Sequence, residues 1–107
     1  MKKYTVNITP NASDKLSQIF EYIAFELLEP IYAANQINRL QDKIQTLDTL
    51  PSCCKVFSKT LYPGHELRRL LVDNYSVFYF IYDQKVEITD IIYSKADILN
   101  RLSQSLH

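Results

Sequence analysis

The hydrophobic period of this chain changes once, from helical to extended, and that single change limits the folds open to it. Leu16, Ile19, Phe20, Ile23, Ala24 and Leu27 recur at the offsets of one helix face, and Pro30 is expected to close that helix. Ala33, Ile37, Leu40, Ile44 and Leu47 follow at alternating steps of four and three, predicting a second helix from Ile31 to Leu50 that Pro51 ends. Two helices with so short a break must fold back as an antiparallel hairpin. Beyond an irregular segment around "SCCKVFSKTLYPGHE", the runs "ELRRLLV", "SVFYFIY" and "VEITDIIY" carry β-branched and aromatic residues at strand lengths.

The two ends complete the pattern. In "KYTVNI", Tyr4, Val6 and Ile8 alternate with Thr5 and Asn7, as in a half-buried strand, and Thr9 followed by Pro10 is a helix start. Asp73-Asn74 and Asp83-Gln84-Lys85 suit the turns of an antiparallel meander. Ser94 with Asp97 three residues on resembles a capping box for a short last helix carrying Ile98, Leu99, Leu102 and Leu106. The expected fold is α+β: an N-terminal strand, an antiparallel helical hairpin, an antiparallel three-stranded meander and a short C-terminal helix, in one domain over residues 1–107. In the strand "SVFYFIY", Val77, Tyr79 and Ile81 point one way and Phe78, Phe80 and Tyr82 the other, so both faces are expected to be covered.

Charge narrows the function. Twelve Lys and Arg balance twelve Asp and Glu, whereas a protein that grips nucleic acid by its phosphates carries a basic excess. A local basic patch is nonetheless expected from Lys55, Lys59, Arg68 and Arg69 against Glu66 alone. The aromatic strand lacks the interleaved Lys and Arg of an RNA-stacking platform. Cys53 and Cys54 are adjacent and are read as two inert thiols; no Cys/His spacing makes a zinc site, and no cofactor is expected. No apolar run is long enough for a membrane span, and the alternation after the first lysines is not that of a signal peptide, so a cytoplasmic protein is expected. His65 and His107 are read as solvated side chains.

"ITPNASDKLSQIFEYIA", a helix closing in "LDTLP", "ELRRLLVDNYSVFY" and "IIYSKAD" together resemble the RelE/ParE superfamily of bacterial toxins, over nearly the whole chain. The resemblance implies a type II toxin that inhibits growth and stabilises plasmids, held inactive by a cognate antitoxin whose own DNA-binding part represses the promoter. RelE-like members are ribosome-dependent mRNA endonucleases; they use cationic side chains on the scissile phosphate and a group assisting proton transfer. ParE-like members instead poison DNA gyrase.

Set beside the nuclease pattern, the chain has Ser76 where an arginine is usual, Ala96 where another is expected, and Leu67 where a lysine can stand. Arg68, Arg69, Tyr75, Tyr93 and Lys95 remain as candidates for contact with the target, and Arg69, Lys95 and Tyr93 as the reduced set a nuclease would have to use. Ser76, Tyr93, Lys95 and Ala96 together look similar to ParE-type patterns, and removal of one preorganised charge-stabilising group costs a nuclease about 10²–10³ in rate. The long hairpin from Asp14 to Leu50 points the same way. The competing structural reading is that one of Arg68 and Arg69 is solvated while the other pairs with Glu66 or a partner carboxylate, and that Tyr93 caps the core at a strand end.

Overall fold

The computed structural model describes residues 3–96 and 98–105. Asp97, Leu106 and His107, which figured in the expected last helix and among the histidines, lie outside the described residues. The chain runs β1 (Thr5–Ile8), α1 (Pro10–Glu21), a π-helical turn (Tyr22–Glu26), α2 (Pro30–Gln45), two 3₁₀ turns (Thr46–Asp48 and Pro51–Cys53), β2 (Val56–Ser58), β3 (Leu67–Val72), β4 (Tyr75–Tyr82), β5 (Lys85–Tyr93) and α3 (Ile98–Ser105). The α+β class, the hairpin, the meander and the short last helix are those expected from the sequence. The strands form one sheet in the order β1-β5-β4-β3-β2, with β1 parallel to β5 and the other pairs antiparallel.

The sheet is covered on both sides. On one, Val77, Tyr79, Val86, Ile88 and Ile91 meet Ala12 and Leu16 of α1 and Leu40 and Ile44 of α2. On the other, Phe78 and Ile92 pack with Leu67 and with Leu102 of α3, and Phe57, Leu61 and Tyr62 close the rest. The shared face of Ile88 and Ile91 requires a bulge. Ile88 pairs with Tyr79 and Asp90 with Phe78, so Thr89 is an extra residue that resets the alternation of β5. Its hydroxyl donates to the Phe78 carbonyl at 3.1 Å.

Thr9 caps α1 as expected: its hydroxyl accepts from the Ala12 amide, and it also donates to the Ile88 carbonyl at 2.7 Å, tying the helix start to β5. Pro30 does not close the first helix; it occupies the first turn of α2, where a missing N–H is harmless. The first helix ends earlier, in the π turn and at Leu28, whose φ of 56° is left-handed. The wider turn takes Leu27 off the apolar stripe, and Leu27 is exposed instead of buried. Leu50 also lies outside α2, beyond the 3₁₀ turn, and is exposed. Val56–Ser58, taken as irregular from the sequence, pairs with β3 as a short edge strand. The capping box expected of Ser94 and Asp97 includes Asp97 and so lies outside the described residues; the Ser94 and Ser76 hydroxyls are 2.9 Å apart.

Asp73 and Asp83, with φ of 53° and 55°, make the two hairpin turns, and aspartate tolerates that conformation better than most side chains. Leu28 gains no such compensation. Leu28→Gly should therefore raise the unfolding free energy by up to about 1 kcal/mol in urea denaturation, with Leu28→Ala close to the parent.

Candidate functional site

Arg68 and Arg69 are neighbours in β3 and so leave the sheet on opposite faces. Arg68 pairs in register with Tyr79 on the helix side, where its guanidinium donates to the carbonyls of Cys54 (2.6 Å) and Ser52 (3.3 Å) and lies 3.5 Å from the Glu66 carboxylate. The Tyr79 hydroxyl donates to the Pro51 carbonyl at 2.5 Å, and burial pushes that phenol up. These two side chains hold the return from α2 into β2 against the sheet. Burial likewise raises the Cys53 thiol, and the Cys53 and Cys54 sulfurs sit 3.5 Å apart.

Arg69 points to the other side. Its Nε donates to the Ser76 hydroxyl at 2.9 Å, Ser76 and Ser94 hydroxyls are 2.9 Å apart, and the guanidinium lies over the Phe57 ring at 5.7 Å. Ser76 itself is fully buried. The position that carries a further arginine in nuclease-type sequences thus faces the α3 side as a small hydroxyl. Lys95 is exposed in the turn after β5, and Tyr93 is exposed at its end.

Tyr75 and Tyr93 are register partners and stack edge to face, with ring centroids 5.8 Å apart. They belong to a cleft of about 700 Å³ between the sheet end and the hairpin, lined also by Lys15, Gln18, Tyr22, Leu27, Tyr32, Gln36, Asn74 and Arg101. Four tyrosines therefore surround one opening. Burial, and then the phenols of Tyr32, Tyr93 and Tyr22, push the Tyr75 hydroxyl above its ordinary value. At the cleft floor Gln36 is fully buried within the α2 stripe. It donates to Asp73 at 3.0 Å, and Arg39 reaches the same carboxylate oxygen at 2.7 Å. Both hydrogen bonds, Arg39 first, hold the Asp73 carboxyl below its usual range. Deeper in, the buried Asp90 carboxylate is met by Lys15 at 3.7 Å.

Of the residues singled out in the sequence, the fold brings Tyr75 and Tyr93 together on the helix side of the sheet, where Arg68 also lies at the return from α2, and sets Arg69 beside Ser76 and Ser94 on the other side. His65 is not simply solvated: its ring stacks on Phe80 at 4.5 Å and meets Tyr82 edge-on at 5.6 Å. Sequence reasoning passed over Tyr22, Tyr32, Gln36, Asn74 and Arg101. The available signal was that Tyr22 and Tyr32 are aromatics lying off both apolar stripes.

The sheet, the hairpin packed on it and the cleft between them define the RelE/ParE type of toxin fold. The model of the family described as the ParE toxin of type II toxin-antitoxin system, parDE, matches residues 6–98, and the chain belongs to that family. Among solved structures, a chain of the chromosomal ParDE TA system from P. aeruginosa superposes with a TM-score of 0.74 at 16% identity, over 89% of this chain and 100% of that one; at that identity the likeness is one of fold. No curated protein matches the chain.

Two outcomes test the site geometry. Arg68→Ala should destabilise the protein by about 2–3 kcal/mol in urea denaturation, because it unpairs two carbonyls and a half-buried loop; Arg69→Ala should cost no more than about 1.5 kcal/mol. The Tyr75 phenol is raised in the folded protein, whereas an unfolded tyrosine ionises near about 10. Below that pH both states are neutral. Above it only the unfolded state loses a proton, so stability falls as pH rises until the folded phenol also ionises. Tyr75→Phe should flatten this alkaline decline, followed as Tm between pH 8 and 11.

Proposed function

We propose that the chain is the toxin of a type II module, neutralised by a cognate antitoxin, that arrests growth by inhibiting DNA gyrase and not by cutting RNA. The observation that carries this reading is that Arg68 and Arg69 leave opposite faces of the sheet and cannot converge on one phosphate. A nuclease of the RelE type needs several cationic groups converging on one phosphate. Here Arg68 is committed to the carbonyls of Ser52 and Cys54 on one face, Arg69 to Ser76 on the other, and position 76 is a buried serine. Lys95 stands exposed near the end of β5, next to the turn that holds Ser94. A surface that recognises a protein does not need convergence. It needs a stable frame that presents exposed aromatic and cationic groups, and Arg, Tyr and Trp are the residues most used for that purpose. Arg69, Tyr75, Tyr93 and Lys95 are the residues proposed to face the target. A cytoplasmic location follows from that target; among the described residues no helix is long and apolar enough to cross a membrane.

Induction of the chain alone in bacteria, with labelled thymidine and methionine incorporation followed over the first minutes, tests the reading. Thymidine uptake should fall first while protein synthesis continues, and Tyr93→Ala with Lys95→Ala should relieve the arrest at least tenfold. An early fall in methionine uptake would mean that Arg69, Lys95 and Tyr93 act on the ribosome. No fall in either would mean that the toxin is inactive or that its target lies elsewhere.

A further inference from the structure

Among the described residues, the tip of the helical hairpin carries the most exposed large apolar side chains. Phe25, Leu28 and Ile31 are 68%, 77% and 78% exposed, and Tyr22 and Tyr32 flank them, half exposed. The tip has its own interior in Ile23, Ala24 and Ala33, which Phe20 and Ile19 complete, so Phe25, Leu28 and Ile31 contribute nothing to it. Single exposed apolar residues are ordinary; a contiguous group of this kind marks a contact surface.

The charged side chains at the apex are acidic, while Arg39 lies over the Tyr32 ring at 5.9 Å and Arg101 lines the cleft beside Tyr22 and Tyr32. Glu21, Glu26 and Glu29 are exposed beside these side chains, and the sequence holds no Lys or Arg between Lys15 and Arg39. The two cations that bound the tip are already used, Lys15 at Asp90 and Arg39 at Asp73. Among the described residues, none of the three glutamates forms an ion pair. Gln18, Glu21, Tyr22, Phe25 and Glu26 follow one another along a helical ridge and line a shallow groove of about 300 Å³. The backbone along this ridge is helical, so strand addition along it is not open to a partner, and side-chain docking of a helix is.

We propose that this hairpin tip docks a cationic amphipathic helix of a partner protein, with apolar side chains against Phe25, Leu28 and Ile31 and Lys or Arg toward Glu21, Glu26 and Glu29. The apolar centre supplies affinity and the acidic rim selects the sign of the partner, since juxtaposed like charges exclude the wrong one. The tip adjoins the cleft of Tyr75 and Tyr93 through Tyr22 and Tyr32, but Phe25, Leu28, Ile31 and the three glutamates lie outside that cleft, so the inference does not depend on gyrase being the target.

The test uses the purified full chain and two fluorescein-labelled helical peptides with the same leucine pattern, one with lysine and one with glutamate on the polar face, read by anisotropy and by amide shift mapping. The lysine peptide should bind at least tenfold tighter, with shifts centred on residues 21–32. E21K/E26K/E29K should reverse the preference, and F25S/I31S should weaken binding at least tenfold although all three glutamates remain. These positions are all exposed, so circular dichroism should report an unchanged fold. Equal binding of the two peptides, or lysine-peptide binding indifferent to F25S/I31S, would overturn the proposal, the latter by reducing it to charge attraction alone. Concentration-dependent dimerisation in sedimentation that F25S/I31S abolishes and that blocks the peptide would also overturn it, in favour of a second copy as the occupant.

Discussion

Strand β4 is buried on both faces, and the rest of the molecule is arranged to keep it so. Val77, Phe78 and Tyr79 are consecutive and fully buried, so neither side of the sheet can face water. The helical hairpin meets one face; α3, with the segment carrying Phe57 and Tyr62, meets the other. Phe57 packs edge to face on Phe78 at 5.0 Å, which gives the short strand β2 a reason to exist although it pairs along only part of β3. The polar end of Tyr79 then fixes where the chain returns after α2, through Pro51.

Much of this frame was legible because hydrophobic period survives in sequence. Of the second stripe, Ala33, Leu40, Ile44 and Leu47 are buried and Ile37 half-buried, and Tyr4, Val6 and Ile8 at β1 are half-buried as the alternation names. What was hidden depends on backbone choices with no compositional mark. "VEITDIIY" reads as a plain alternation that would set Ile88 and Ile91 on opposite faces, and only pairing with Phe78 and Tyr79 reveals Thr89 as a bulge. The π turn at Tyr22–Glu26 is equally silent; it moved Leu27 out of the core and left Pro30 to begin a helix instead of ending one. Gln36 was invisible as a buried residue because its partners, Asp73 and Arg39, are distant in sequence or outside the stripe.

The arginine pair is a different case, since the information was present. Adjacent residues in a strand cannot share a face, so a shared site for Arg68 and Arg69 was excluded once "ELRRLLV" was taken as a strand. The structure adds what each does. Arg68 satisfies loop carbonyls and pairs with Glu66, as the structural reading had allowed for one of the two. Arg69 keeps a partner on the α3 side, among Ser76, Ser94 and Phe57. Arg68, Tyr75 and Tyr93 thus lie on the helix side of the sheet and Arg69 on the α3 side, so the contact residues picked from sequence do not share one face.

The hairpin divides between buried and exposed side chains. At its tip Ile23, Ala24 and Ala33 form a small interior of their own, while Phe25, Leu28 and Ile31 face water. A left-handed leucine at the apex is unfavourable for the backbone and, at its exposure, gains no burial in return. A chain selected for folding alone would have no physical use for Leu28, Phe25 and Ile31 in water beside three unpaired carboxylates. The tip thus joins local strain, exposed apolar surface and acidic side chains in one short segment, while the sheet beneath it is fully satisfied. Stability resides in the two-sided strand, and the hairpin projects beyond what that strand needs for cover.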